Sequence, residues 1–205
     1  MMTSMRLLIS LWIRSTYTLT VVSVLILPTA QASQALNSTS SVRQQSTKQF
    51  LNATEKYATG VVEGEGKHVV YIYFDPNCPY CHKLFVELRT YVKKGGYTFH
   101  WVPVGILMAS SQGKAAAILE ARNPLAALRE NEKNFSREDG FGSIPEVLMP
   151  SNKISRELNT NQELLARTGT EDVPTILFHR RDGTVADIIG APPPEKLANV
   201  IQQVR

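Results

Sequence analysis

Six consecutive β-branched or aromatic residues, Val69 to Phe74, run through Asp75-Pro76-Asn77 into Cys78-Pro79-Tyr80-Cys81. An unbroken apolar run of that length suits a strand buried on both faces, as in a central parallel strand. After the cysteines the period changes. Leu84, Phe85, Leu88, Tyr91 and Val92 share one face of a helix that Gly95 and Gly96 can end. Cys78 is thereby placed at or just before the first helical turn, where unpaired N–H groups and the positive end of the helix dipole favour a thiolate. Pro79 suits the first helical position, since its missing N–H would have no partner there.

That placement carries chemistry. Disulfide exchange needs a thiolate, and a free thiol with a pKa of about 8.5 supplies little of it at neutral pH. Cys78 therefore reads as the nucleophile. Cys81, one turn further in and more enclosed, reads as the resolving thiol that displaces substrate from a mixed disulfide with Cys78. Zinc is the competing use of a C-x-x-C pair, but a closed site takes four ligands, and His68, His82, His100 and His179 show no paired spacing. No metal and no cofactor is expected. Asp75 reads as a turn former before Pro76 in preference to a buried carboxylate tuning proton transfer, and His82 as either an exposed helix residue or a neighbour of the thiolate.

At these residues the chain resembles a known family. Phe74-Asp75-Pro76-Asn77-Cys78-Pro79-Tyr80-Cys81 is similar to the active-site segment of periplasmic thiol:disulfide proteins of the DsbG type, and Cys81-His82-Lys83-Leu84 to the continuation in DsbC. The similarity continues through Pro103-Val104-Gly105, Ala115-Ala116-Ala117-Ile118-Leu119 and Val173-Pro174-Thr175, and so covers about residues 65 to 205. It implies an α/β thioredoxin fold with a helical insert between its two halves, and Pro174, 93 residues after Cys81, leaves room for that insert. It further implies that Cys78 and Cys81 form a redox-active disulfide. The family's cis proline maps onto Pro174, which would set the Val173 backbone beside Cys78 and make Pro79, Tyr80, Val173 and Pro174 substrate-binding residues.

The implied activity is disulfide exchange with exported proteins, as an isomerase or as a reductase of sulfenylated or misoxidised thiols, with a membrane redox partner recharging the site. Val173 departs from the Thr that DsbC and DsbG carry and matches DsbA. A monomeric dithiol oxidase of the DsbA kind is thus one alternative, and a chaperone-like binding module with incidental redox activity another.

Residues 1–32 read as a signal peptide, with Arg6 and Arg14 in the basic region, Leu19 to Leu27 apolar, Pro28 a break and Ala30-Gln31-Ala32 a cleavage site. An uncleaved anchor is the alternative, and either way the domain is expected in the periplasm. The formal charge of +4 includes those two arginines and no acid from that segment, so the exported part is less basic still and carries no nucleic-acid footprint. Residues 33–64, rich in Ser, Gln, Asn and Thr at the start, are expected to be a linker with a short helix over Thr47 to Ala58, and 65–205 the catalytic domain. The interval from Ser33 to Asn77 has no room for the dimerisation domain of DsbC and DsbG, so a monomer is expected.

The remaining patterns predict a strand over Tyr97 to Val104, helices over Lys114 to Arg122, Leu125 to Lys133 and Ile154 to Thr168, a surface loop from Phe135 to Pro150, a hairpin turning at Asp182-Gly183, and a final helix carrying Leu197, Val200, Ile201 and Val204.

Overall fold

The computed structural model describes residues 29–136 and 141–205. The basic and apolar parts of the expected signal peptide, up to Pro28, lie outside the described residues. The chain divides between Asn37 and Ser38. The described part of the first unit is the opening of one helix, and the second unit, Ser38–Arg205, holds the sheet and the cysteine pair.

Along the chain come α1 (Thr29–Tyr57), β1 (Val61–Glu63), β2 (His68–Phe74), α2 (Pro79–Lys94), β3 (Tyr97–Pro103), α3 (Ser111–Glu120), α4 (Pro124–Lys133), α5 (Asn152–Ala166), β4 (Thr175–His179), β5 (Val185–Ile189) and α6 (Pro194–Gln202). The five strands form one sheet in the order β1-β3-β2-β4-β5. Only β2 and β3 run parallel, with Ile72 opposite Trp101 and Phe74 opposite Pro103. Helix α2 makes the crossover between them, and Gly95 closes it in a left-handed conformation, donating its N–H to Tyr91 O and Val92 O.

Strand alternation sorts the core into two layers. Val70, Ile72, Phe74, Phe99 and Trp101 pack with Leu84, Phe85 and Leu88 of α2 and with Leu197 and Ile201 of α6. Tyr73, Val102 and Leu177 pack on the other face with Phe50 and Leu51 of α1 and Leu164 and Leu165 of α5. The C-terminal half of β2 is therefore buried on both faces, as its composition predicts, while Val69 and Tyr71 near its start are only half-buried. That burial fixes the strand end from which the cysteine turn departs.

Residues 33–64 differ from the linker expected. They are helical from before Ser33 through Tyr57, because the polar composition contains neither Gly nor Pro between Thr29 and Tyr57 and so nothing that stops a helix. Phe50 and Leu51 enter the core, and Val61–Glu63 add an edge strand antiparallel to β3, so the packed fold begins before residue 65. The strand is too short for a pattern between Gly60 and Gly64. The loop expected over Phe135 to Pro150 lies at the surface over most of its described residues, with Leu148 and Met149 exposed, but turns inward at one point. Gly142 is buried, and a Cβ there would strike Asn131 Oδ1 and Pro76 O.

Candidate active site

Cys78 caps α2. Its backbone is extended (φ −86°, ψ 115°), and its Sγ accepts the Cys81 backbone N–H at 3.2 Å. Pro79 takes the first helical position, and the His82 N–H reaches Cys78 O at 3.0 Å. The donated Cys81 thiol holds the Cys78 pKa below the ordinary cysteine value; burial opposes this, the Cys81 and Tyr80 backbone N–H groups add to it, and the Asp75 charge works against it. Burial pushes the Cys81 thiol well up, and the Cys78 sulfur beside it pushes the same way. Cys78 is less accessible than expected: the two residues are 2% and 1% exposed, so the pair differs in electrostatic environment more than in access.

Opposite the cap, Cys78 Sγ lies 3.6 Å from Val173 O, and the Val173–Pro174 peptide is cis, as the resemblance implies. Tyr80 is 67% exposed on the other side. It lines, with Pro79, His82, Val86 and Phe135, an open groove of about 570 Å³ along the outer face of α2. Cys81, the Tyr80 backbone and Val173 O thus surround the Cys78 sulfur, with Pro79 and Pro174 next to them in the chain, while the Tyr80 ring lies out on the groove.

Beneath them lies a polar network that sequence reasoning missed. Asp75 is buried, and its carboxylate accepts four bonds: Asn77 N–H at 2.8 Å, Ser111 Oγ–H at 2.8 Å, and the N–H groups of Ile106 and Leu107 at 2.8 and 3.0 Å. It is a turn former, as expected, and also an anchor for the chain entering α3. Asn77 Nδ2 donates to Ser110 Oγ and Ser111 Oγ at 3.1 and 3.0 Å, while its Oδ1 accepts from Lys114 Nζ at 2.8 Å. Lys114 Nζ also reaches Gly142 O at 2.7 Å. Asn131 Nδ2 donates to Pro76 O at 3.0 Å and to Glu132 Oε1 at 3.1 Å, and Glu132 Oε2 is 2.8 Å from His82 Nδ1. His82 is therefore no free surface residue; its ring stacks on Phe135 at 4.5 Å. One signal for this network was available: Leu128, Asn131 and Glu132 fall at i, i+3 and i+4, the spacing of a buried helix face.

A family model for the thioredoxin-like domain matches residues 55–205. The chain belongs to the thioredoxin-like domain family. Two curated relatives are both named thiol:disulfide interchange protein DsbG. That of Pseudomonas aeruginosa is 30% identical over 139 residues, 67% of this chain and 52% of the relative, and that of Escherichia coli is 26% identical over 136 residues, 65% and 52% respectively. The chain spans about half the length of the curated relatives it matches. Among solved structures, the catalytic domain of Proteus mirabilis ScsC superposes with a TM-score of 0.60 at 18% identity, over 78% of this chain and 96% of that one. The thiol-disulfide exchange protein α-DsbA2 of Wolbachia pipientis gives 0.56 at 12%, over 78% and 96%. These likenesses agree on the thioredoxin-like fold, with α3, α4 and α5 as the helical insert between β3 and β4. Among the described residues, no helix is long and apolar enough to cross a membrane, and no cluster of His, Cys, Asp and Glu could hold a metal ion.

Proposed function

We propose that this protein is a periplasmic thiol:disulfide oxidoreductase in which Cys78 attacks or presents the disulfide and Cys81 resolves it. The observation that carries this is the Cys78 sulfur at the cap of α2, receiving the Cys81 N–H at 3.2 Å while its pKa is lowered. A thiolate held there is both nucleophile and good leaving group. In the reductive direction Cys78 S⁻ attacks a substrate disulfide and frees one substrate thiolate; Cys81 S⁻ then attacks Cys78 Sγ and frees the second. Val173 O, at 3.6 Å, offers a main-chain acceptor beside the reacting sulfur for an extended substrate segment. Exported proteins with thiols or disulfides are the substrates on this reading, and a membrane redox partner recharges the pair.

The DsbG relatives favour reduction or isomerisation. Val173, the residue that departs from DsbC and DsbG, favours a dithiol oxidase as the second reading. Insulin reduction by the wild type and by Cys78→Ser tests the core of the proposal: the variant should lose activity by orders of magnitude. Activity or substrate refolding retained without the Cys78 thiol would leave a binding module with incidental redox chemistry.

A further inference from the structure

The groove that opens at Pro79 continues past Tyr80 and Phe135. A second hollow, of about 590 Å³, meets it at His82 and Val86 and carries it along α2 as far as Val92 and Lys93, with residues of α4 on its opposite side. The near part is apolar, lined by the exposed Tyr80 and Val86 and the half-buried Phe135. Charge is spread unevenly over the whole length. Lys83 and Glu87 lie 3.9 Å apart and offset each other. Arg89 and Arg129 share Glu63, and the positive charge left over there is offset by Glu132, 2.8 Å from His82. Lys93 and Lys133 remain. Both are exposed, and neither forms an ion pair among the described residues.

We propose that this groove takes an extended segment of the substrate with apolar residues next to its cysteine and acidic residues about three to six positions away, whose carboxylates meet Lys133 and Lys93. The proposal names the substrate class of the thiol-exchange reading above and rests on it. Distance sets the spacing. Lys93 follows Pro79 by fourteen residues on one helix, about 21 Å at 1.5 Å per residue, and an extended chain covers that in about six residues. Lys133 comes sooner, because it adjoins Glu132, the partner of His82 in the first turn of α2.

A substrate joined to Cys78 enters the groove at Pro79, so its neighbouring apolar side chains leave water against Tyr80, Val86 and Phe135 before its carboxylates reach the lysines. Selection then acts on the chain around the substrate cysteine and leaves the exchange chemistry alone. Each lysine is exposed, so its pull is modest and is screened by salt. A small disulfide with no chain attached gains nothing from either lysine.

Peptides whose single cysteine is joined to thionitrobenzoate test this against the reduced protein. The Cys78 thiolate bonds to the peptide sulfur, the bond to thionitrobenzoate breaks, and its electron pair leaves on the coloured thionitrobenzoate sulfur, whose release is timed. One peptide has apolar residues beside the cysteine and glutamates at the third and sixth positions on either side. A second has lysines in their place, and a third has the glutamates beyond the tenth position. In about 20 mM salt the first should react at least about fivefold faster than the others, and in about 0.5 M salt the advantage should shrink below about twofold. Lys93→Glu with Lys133→Glu should reverse the preference for glutamate over lysine. Lys48→Glu with Lys153→Glu makes the same change of net charge on α1 and α5 and should retain it. No advantage at low salt, an advantage that survives Lys93→Glu with Lys133→Glu, or one lost as fully with Lys48→Glu and Lys153→Glu overturns the proposal. So does light scattering that finds the wild type dimeric and the Lys93→Glu, Lys133→Glu protein monomeric, since a second copy would then fill the groove. The small mixed disulfide of mercaptoethanol with thionitrobenzoate should react within about twofold of the wild-type rate in both variants at about 0.5 M salt. If the wild type does not react with it, the thiol-exchange reading falls; normal reaction with it and no preference among the peptides overturns the groove alone.

Discussion

The backbone N–H of Cys81 points at the sulfur of Cys78 from 3.2 Å, across the first turn of α2. The two thiols are thereby driven apart in acidity. Cys78 ionises below the ordinary cysteine range because the Cys81 thiol donates to it, whereas burial drives Cys81 up. In the reduced chain Cys78 thus contributes stability above the unfolded value of about 8.5, lost as pH falls through its lower folded pKa; the Cys81 contribution is present below about 8.5 and lost as pH rises through its higher one. Alkylation of the reduced protein across pH should label Cys78 first, with a midpoint below that of free cysteine. Labelling of Cys81 first, or a Cys78 midpoint at or above about 8.5, would reverse the roles.

Glu63 predicts acid sensitivity. It is fully buried at the edge strand β1 and accepts bonds from Arg89 on α2, from Arg129 on α4 at 3.0 Å and from Trp101 Nε1 at 3.2 Å. Burial raises its pKa, but the two guanidiniums outweigh that and leave it below the usual carboxylate value. Its contribution is therefore complete above about pH 4.3 and is lost as pH falls through the lower folded value. Glu63→Ala removes the shared acceptor of Arg89 and Trp101 Nε1, while the half-exposed Arg129 returns to water, and should cost about 1–3 kcal/mol near neutral pH. Urea melts at several pH values check both statements, and a variant whose deficit persists undiminished in acid contradicts the pairing.

Lys114 and Gly142 should matter beyond their distance from the sulfur. Lys114→Met keeps the volume and strips Asn77 Oδ1 and Gly142 O of a charged donor, for an expected loss of about 1–3 kcal/mol. Gly142→Ala drives a methyl into Pro76 O and Asn131, for a similar loss. Both should lower the rate at which Cys78 is alkylated as the turn that carries it shifts. Unchanged melts and alkylation in both variants would show the network to be passive.

Much of the fold and site is legible in the chain, for physical reasons that differ by element. The apolar run of β2, the face of α2 and the Pro at its first position are local signals, and the strand, helix and cap follow them. Pro174 lies 93 residues from Cys81, and only the family resemblance links them; spacing alone could not bring Val173 O to 3.6 Å from the sulfur. The network under the site is legible only in the i, i+3, i+4 spacing of Leu128, Asn131 and Glu132, because Asn77 and Lys114 come from separate stretches and each reads as an ordinary solvated side chain until the insert folds over the turn. The part of α1 before Thr47 escapes notice for a different reason. Its polar composition lacks an apolar face over most of its length, so periodicity shows nothing, although no residue in it forbids a helix.

Tyr80 should behave unlike the buried groups. It is 67% exposed, so Tyr80→Ser ought to leave the melting temperature within about 2 °C of wild type, since surface changes of this kind rarely exceed about 0.5 kcal/mol. Substrate affinity should drop, because the ring forms one wall of the groove that opens along α2 from Pro79. Kinetics with a folded-protein disulfide check this through a raised KM with kcat retained; the reverse split would place Tyr80 in the chemistry instead.

The most direct measurement is covalent trapping. With the resolving thiol removed, Cys81→Ser protein incubated with exported proteins should accumulate mixed disulfides, and peptide mapping should place every one on Cys78, with none formed by Cys78→Ser under the same conditions. Adducts carried by Cys81 in the Cys78→Ser protein at the wild-type rate, or no adducts from either variant, would contradict Cys78 as the attacking group.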